Sequence, residues 1–170
     1  MNYNAYTGNR KSLLFSLRFW ALTLLLVIFY TTLLVAQNIV YIDPTNSGDP
    51  DEDGTLEHPY NSWLDISFTD NTTYLQAAGT EFTLVSTLDI DNVDNVTIGA
   101  YGDGPRPIIH SNPSTNAAMV RVARASNTVV DGLALIGNLA NSPDGGVFVS
   151  GHWSSGGAPT LNTTINNCEI

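Results

Sequence analysis

The stretch that decides the fold is residues 127–135, which read Asn127-Thr128-Val129-Val130-Asp131-Gly132-Leu133-Ala134-Leu135. Related stretches begin at Asn95, 32 residues earlier, and at Asn162, 35 residues later. Each starts with asparagine, has a β-branched residue three positions later and continues with small or turn-forming residues. An internal repeat of this length, with two or three short strands per period and no helical pattern, predicts a β-solenoid.

A second element repeats with the asparagine motif. Met119-Val120-Arg121-Val122 corresponds to Val147-Phe148-Val149-Ser150, and each precedes its motif. In a solenoid each turn of chain, here called a coil, lies about 4.8 Å from the previous one, so equivalent side chains stack. The expected inward positions are Val96, Ile98, Val130, Ile165 and the equivalent pair Leu133 and Cys168. The three motif asparagines lie at turns, where we expect their amides to form a ladder.

The rest of the chain after residue 37 has the same β-rich character. Short apolar runs alternate with Gly, Asn, Asp and Pro, a pattern typical of an all-β protein. The predicted strands are 38–43, 74–75, 82–85, 96–98, 107–109, 119–122, 128–130, 133–136, 147–149 and 163–165. One further segment, 62–68, fits either a turn of helix or a strand.

The charge of the chain is split between two regions. Residues 1–36 carry three basic side chains and no acidic one, whereas residues 37–170 carry three arginines, no lysine and sixteen acids, a net charge of −13. A region this acidic, without a basic patch, is a poor binder of nucleic acid or of an anionic membrane. The single cysteine excludes an intrachain disulfide and a cysteine-rich metal site, and the inward position of Cys168 predicts a buried free thiol.

The first region has the parts of an export signal. A basic segment, 1–18, precedes seventeen uncharged and mostly apolar residues, 19–35, and Ala36 is a small residue at the junction with the acidic chain. This order predicts a hydrophobic leader helix, which is either a cleaved signal peptide or a retained signal anchor. Both interpretations place residues 37–170 outside the cytoplasm, secreted or at the extracytoplasmic cell surface. Membrane contact is expected only through an uncleaved leader.

Several motifs resemble the N-terminal part of right-handed parallel β-helix proteins of the pectate-lyase-like superfamily. Beside the asparagine motifs, they are Tyr41-Ile42-Asp43-Pro44, Gly54-Thr55, Pro59-Tyr60-Asn61-Ser62-Trp63, Tyr74-Leu75, Ala78-Gly79-Thr80, Tyr101-Gly102 and Pro105-Arg106-Pro107-Ile108-Ile109. The resemblance covers nearly all of residues 38–170. It implies the fold rather than the reaction, because the superfamily includes lyases, hydrolases, epimerases and non-catalytic adhesins.

These features predict an organisation in three parts. Residues 1–36 are the signal peptide or signal anchor, residues 37–90 are an N-terminal cap with the first strands, and residues 91–170 are incomplete coils of the parallel β-helix. About three coils follow the cap. Because a solenoid needs a capping repeat at each end, we expect the sequence to be truncated at its C-terminal side. No oligomer is predicted.

An acidic loop after the first predicted strand is a candidate metal site. Asp49, Asp51 and Asp53 alternate before a glycine, a spacing that lets three carboxylates converge on one hard cation. Glu57 can add further charge. Two interpretations stay open: a calcium-binding turn, with calcium as the only cofactor, and a solvated acidic loop.

Two groups of residues are candidates for carbohydrate chemistry. In carbohydrate lyases of the resembled superfamily an arginine or lysine often serves as the base, which makes Arg121 and Arg124 candidate catalytic residues. The alternative is ion pairing with acids on an outer face. The expanded loop before Asn162 holds His152, a candidate acid or base, and Trp153, a candidate platform for a sugar ring. The alternative is a loop whose tryptophan packs over the edge of the coil.

The resemblance implies an exported β-helix protein that binds or degrades polysaccharide, with a polysaccharide or cell-surface glycan as its partner. Degradation would be β-elimination by a lyase or cleavage by a glycoside hydrolase, with most catalytic residues expected on later coils. The alternative is a non-catalytic, adhesin-like surface β-helix whose loops bind a partner. His58 and His110 have no partner that the sequence identifies.

Overall fold

The computed structural model describes residues 37–112, 118–137, 145–150 and 159–170. These residues form strands joined by turns, with one turn of 3-10 helix at Trp63–Asp65. The strands are β1 (Asn38–Ile42), β2 (Thr72–Ala77), β3 (Glu81–Leu84), β4 (Leu88–Asp91), β5 (Thr97–Tyr101), β6 (Ile108–Ser111), β7 (Ala118–Ala123), β8 (Val129–Asp131), β9 (Ala134–Ile136), β10 (Gly145–Ser150) and β11 (Thr164–Asn166). The leader helix predicted within 1–36 lies outside the described residues. Within the described ranges, no helix is long and apolar enough to cross a membrane.

The strands pair in parallel and form three sheets. The first sheet has the order β1-β2-β5-β8-β11, the second β3-β6-β9 and the third β10-β7-β4. From β2 onward the chain visits the first, second and third sheets in turn and then returns to the first. Parallel neighbours need a crossover connection, and here that connection runs through the other two sheets. This all-β arrangement of parallel sheets is compatible with the predicted parallel β-helix.

The register of the first sheet confirms the repeat found in the sequence. Ile98 pairs with Val130, and Val130 pairs with Ile165. These pairs have the same separations, 32 and 35 residues, as the asparagine motifs. A parallel bridge between Ala134 and Glu169 carries the 35-residue offset onward along the chain. Equivalent positions of successive coils are therefore neighbours in space.

The alignment predicted for the third sheet is wrong by one residue. The sequence equates Met119 with Val147, whereas the structure pairs Val147 with Val120 and Phe148 with Arg121. A shift of one residue moves every side chain of a strand to the opposite face. The observed register packs Val147 against the core, like the buried Val120, and leaves Phe148 exposed. In this register Val147 lies beside Val120 and Val149 beside Val122, so valines are neighbours on the inward face.

The core lies between the three sheets and contains most of the predicted inward residues. The fully buried ones are Val96, Ile98, Val130 and Leu133. Ile165 pairs in register with Val130 and therefore lies on the same inward face, but it is 44% exposed because β11 is an edge strand that pairs only with β8. Cys168 is a free thiol as expected, but it is only partly buried. Burial therefore decreases toward the last described strand.

The predicted ladder of asparagine amides is present and has one more member than expected. The Nδ2 atoms of Asn95, Asn127 and Asn162 each donate to the Oδ1 atom of the preceding member, beginning with Asn71, at 2.9, 2.9 and 3.0 Å. All four residues have φ between 55° and 58°, a left-handed conformation that asparagine tolerates better than most residues. This asparagine ladder ties the turns before β2, β5, β8 and β11 together.

Two local elements refine the sequence analysis. Segment 62–68 contains a turn of helix rather than a strand, and Ser62 Oγ caps it by accepting from the Leu64 N–H at 3.0 Å. Strand β4 lies outside the predicted strands, although its alternation of apolar and acidic residues has the strand period of two. Its apolar residues are buried, and Asp89 and Asp91 are turned toward solvent. These two carboxylates contact the candidate arginines.

Candidate functional site

The candidate arginines lie on the outer face of the third sheet and contact acids of the preceding coil. Arg121 on β7 pairs in register with Asp89 on β4. Arg121 Nε donates to Asp89 Oδ1 at 2.8 Å, and Arg121 Nη2 donates to Asp89 Oδ2. A bidentate contact of this kind fixes the orientation of the guanidinium. Phe148 on β10 follows Arg121 in the same outward row and is 49% exposed.

Arg124 makes the equivalent contact just beyond the end of β7. Arg124 Nε donates to Asp91 Oδ1 at 2.7 Å, and Arg124 Nη2 donates to Asp91 Oδ2. Its backbone is left-handed, with φ of 50°, which is uncommon for a residue with a long side chain. Two successive ion pairs therefore join β4 to β7 and the turn that follows it.

Both arginines are held in the protonated state. The hydrogen bond to Asp89 raises the pKa of Arg121, and the hydrogen bond to Asp91 raises the pKa of Arg124. A paired guanidinium that is more basic than usual loses its proton less readily, so this arrangement suits binding better than proton abstraction. The geometry agrees with the ion-pairing alternative. A catalytic role for either arginine stays a prediction.

A cleft of about 320 Å³ opens beside the first of these ion pairs. One wall is formed by residues of segment 63–68, and the other by segment 86–89, which leads into β4. Asp89 lines the cleft and also holds Arg121, so the ion pair lies at the edge of the cleft. The volume is within the usual range of ligand pockets, roughly 300–1,000 Å³.

Buried hydrogen bonds and a ring contact hold the 63–68 wall in place. Trp63 is buried, and its Nε1 donates to Gln76 Oε1 at 2.7 Å. Phe68 packs edge-to-face on Tyr74 with ring centroids 4.9 Å apart. The Tyr74 hydroxyl donates to the Ser67 carbonyl at 2.9 Å. Because β2 carries both Gln76 and Tyr74, the wall is anchored to the first sheet and the cleft is preformed.

The carboxylates of the candidate calcium loop bind backbone groups instead of converging on one point. Asp49 Oδ1 accepts from the Asp51 N–H, and Asp53 Oδ1 accepts from the N–H two residues later, both at 2.9 Å. Asp49 Oδ2 lies 2.9 Å from His58 Nδ1. Among the described residues, no group of three His, Cys, Asp or Glu side chains is placed to hold a metal ion. Calcium binding by this loop, with Glu57, stays a prediction.

The hydrogen bonds of the acidic loop shift the pKa values of its members. The hydrogen bond that the His58 ring donates to Asp49 raises the pKa of His58. The pKa of Asp49 is lowered, first by the N–H of Asp51 and then by the His58 ring. The pKa of Asp53 is lowered by the hydroxyl and the N–H of Thr55. The loop is therefore an ordered turn whose hydrogen bonds favour the charged forms of Asp49 and Asp53.

The structure supplies partners that sequence reasoning missed. His58 contacts Asp49, and His110 Nε2 on β6 lies 3.1 Å from Glu81 Oε2 on β3. Asp89 is the missed residue that matters most, because it joins the cleft to Arg121. The alternation of apolar and acidic residues in β4 is the signal that could have found it.

The structure does not bring all the sequence-predicted site residues together. Arg121 and Arg124 share one outer face of the third sheet, whereas the acidic loop follows β1 of the first sheet. His152 and Trp153 follow β10 in the sequence and lie outside the described residues. The candidate site is therefore built from Asp89, Arg121 and the walls of the cleft.

Comparison with known proteins adds no family assignment. No protein-family model, curated protein or solved structure gives a significant match to the chain. A functional proposal therefore rests on the geometry of the chain and on the resemblance of its motifs.

Proposed function

We propose that the chain is an exported right-handed parallel β-helix protein of the pectate-lyase-like superfamily, and that it binds polysaccharide at the cleft beside Asp89. The observation that carries the proposal is a preformed cleft with a fixed carboxylate–guanidinium pair at its edge. The three parallel sheets and the asparagine ladder support the fold, and the basic and apolar leader supports export.

The chemistry of the cleft suits a sugar. A sugar ring has hydroxyl groups around its edge and apolar C–H groups on its faces, so its binding site needs both polar and apolar contacts. The cleft offers the hydroxyls of Ser67 and Ser86, and Leu64 supplies apolar surface that is 46% exposed. The Asp89 carboxylate and the Arg121 guanidinium add an acceptor and a donor in fixed positions.

The state of the two arginines favours binding over catalysis. Each guanidinium is occupied by a carboxylate, so neither is a free base. This supports a non-catalytic surface β-helix as the form of the proposed function to test first. A lyase would release unsaturated sugars and a glycoside hydrolase would release reducing ends. Either product, formed by the full chain and lost in Arg121→Met, would restore the catalytic alternative.

The proposal is tested by measuring binding of the full chain to a panel of soluble neutral and acidic polysaccharides by titration calorimetry. We expect a panel member to bind, and Asp89→Ala to weaken that binding about tenfold. The reason is that a hydrogen bond to a charged group contributes about 1.5 kcal/mol at the low end of its range, and each 1.4 kcal/mol is a factor of ten in affinity.

The matched control is Glu81→Ala. Like Asp89, Glu81 is an acid that contacts a basic side chain on the neighbouring strand, in this case His110. It lies on the second sheet and does not line the cleft. We expect this variant to bind like the wild type. Absence of binding to every polysaccharide, or equal losses in both variants, would contradict the proposed function.

A further inference from the structure

We propose that the cleft beside Asp89 selects an uncharged polysaccharide and discriminates against polyanionic ones. This inference rests on the proposed function and names its substrate class. It follows from how the chain distributes its few positive charges and from what the cleft exposes.

The cleft itself is electrically neutral. Of its nine lining residues only Asp89 carries a charge, and that charge is matched by Arg121 through two hydrogen bonds. The side chains of both partners are about 40% exposed, at 43% for Asp89 and 40% for Arg121. The pair can therefore reach a ligand, but it offers no net charge to attract one.

Residues 37–170 hold no arginine that lacks an acidic neighbour. The three arginines of this region are Arg106, Arg121 and Arg124, and lysine is absent from it. Arg121 and Arg124 bind Asp89 and Asp91, while Arg106 Nη1 lies 3.9 Å from Glu169 Oε2. A carboxylate on a sugar that approaches Arg121 or Arg124 would compete with a carboxylate that the fold already holds in place.

The remaining charge of the region also repels a polyanion. Residues 37–170 have a net charge of −13, and a surface field of one sign lowers the local concentration of ligands of the same sign. A polysaccharide with one carboxylate per sugar would meet this field along its whole length. An uncharged polysaccharide would not.

The groups that remain available fit hydroxyls instead. The carboxylate oxygens of Asp89 keep lone pairs that can accept from a sugar hydroxyl, and Arg121 keeps N–H groups that can donate to one. Thr87 also lines the cleft, and its Oγ1, which donates to the Ala118 carbonyl at 2.8 Å, keeps lone pairs that can accept a hydrogen bond. Donors and acceptors in fixed positions discriminate neighbouring hydroxyls without any net charge.

The test compares two polymers that differ only in the carboxyl group. Polygalacturonate and its carboxyl-reduced form have the same linkage, and each is titrated into the full chain at low and at high salt, beside other neutral polysaccharides. We expect a neutral polymer to bind at least tenfold more tightly than polygalacturonate at low salt, with little dependence on salt. Tighter binding of polygalacturonate would overturn this inference and leave the proposed function standing. Absence of binding to any polymer would overturn both.

The variant Asp89→Ala adds a second readout. It removes an acceptor for the neutral ligand and releases Arg121 from its carboxylate. We expect its affinity for the neutral polymer to fall and its affinity for polygalacturonate to rise, which misfolding would not produce. Glu81→Ala serves again as the control and is expected to leave the preference unchanged. A preference that Asp89→Ala does not alter would also overturn the inference.

Discussion

Replacing Asn127 by alanine removes an interior member of the asparagine ladder and tests whether the coils are stacked in the observed register. Asn127 Nδ2 donates to Asn95 Oδ1 at 2.9 Å, and Asn127 Oδ1 accepts from Asn162 Nδ2 at 3.0 Å. The backbone of Asn127 is left-handed, with φ of 56°. The substitution therefore deletes two hydrogen bonds and places alanine in a conformation that it adopts less readily.

The two effects can be estimated separately. A hydrogen bond contributes about 0.5–1.5 kcal/mol, and the lower end applies here because the ladder side chains are exposed, so the two bonds together contribute about 1 kcal/mol. A left-handed conformation costs an ordinary residue about 1 kcal/mol more than it costs asparagine. We expect Asn127→Ala to lower the free energy of unfolding by about 2 kcal/mol.

Asn92→Ala is the matched control. Asn92 is also exposed and left-handed, with φ of 57°, but it takes no part in the asparagine ladder. It should lose only about 1 kcal/mol, the contribution of the backbone. Urea denaturation of the full chain, followed by circular dichroism, measures both values. Equal losses in the two variants would refute the ladder as a source of stability between coils.

Three further predictions concern the core and the acidic loop. Leu133→Ala leaves a cavity at a fully buried position, so we expect a loss of about 2–5 kcal/mol in the free energy of unfolding measured in urea. A loss under about 1 kcal/mol would contradict the assignment of Leu133 to the core. Gly54→Ala should destabilise the chain more than Gly48→Ala in thermal melts. Both glycines have positive φ, but only at Gly54 would an added Cβ lie 2.6 Å from an aromatic carbon. His58 has a raised pKa, so it stabilises the fold below its ordinary pKa of 6.5 and loses this effect as the pH rises through its folded value. Asp49 has a lowered pKa, so it stabilises the fold above its ordinary pKa of 3.8 and loses this effect as the pH falls through its folded value. Asp49→Asn should therefore lower the melting temperature near pH 5 more than near pH 9, and an equal effect at both would contradict the contact.

The repeat of the fold is predictable from sequence because each asparagine motif joins a turn residue to an inward β-branched residue at a fixed offset. Ile98 and Val130 are buried and paired for this reason. The third sheet is less predictable, because Val147 can be aligned with Met119 or with Val120, and both are apolar. Only contact with the buried Val120 selects one of them.

The candidate site is harder to predict because its contacts join residues far apart in the chain. Arg121 and Asp89 are 32 residues apart, so their ion pair depends on the register of β4 and β7. Ion pairing of Arg121 can be anticipated from the excess of acids, but the identity of its partner cannot. The contact between His58 and Asp49 depends on the path of an irregular loop, which has no periodic signal.

The stacking of the coils is tested most directly by scalar couplings across backbone hydrogen bonds, measured by nuclear magnetic resonance on the full chain. The Val129 N–H donates to the Val96 carbonyl at 2.9 Å, and the Thr164 N–H donates to the Thr128 carbonyl at 2.8 Å. We expect a coupling between the nitrogen and the carbonyl carbon of each of these pairs. Couplings from Val129 or Thr164 to any other carbonyl would contradict the parallel register of the first sheet, on which the asparagine ladder depends.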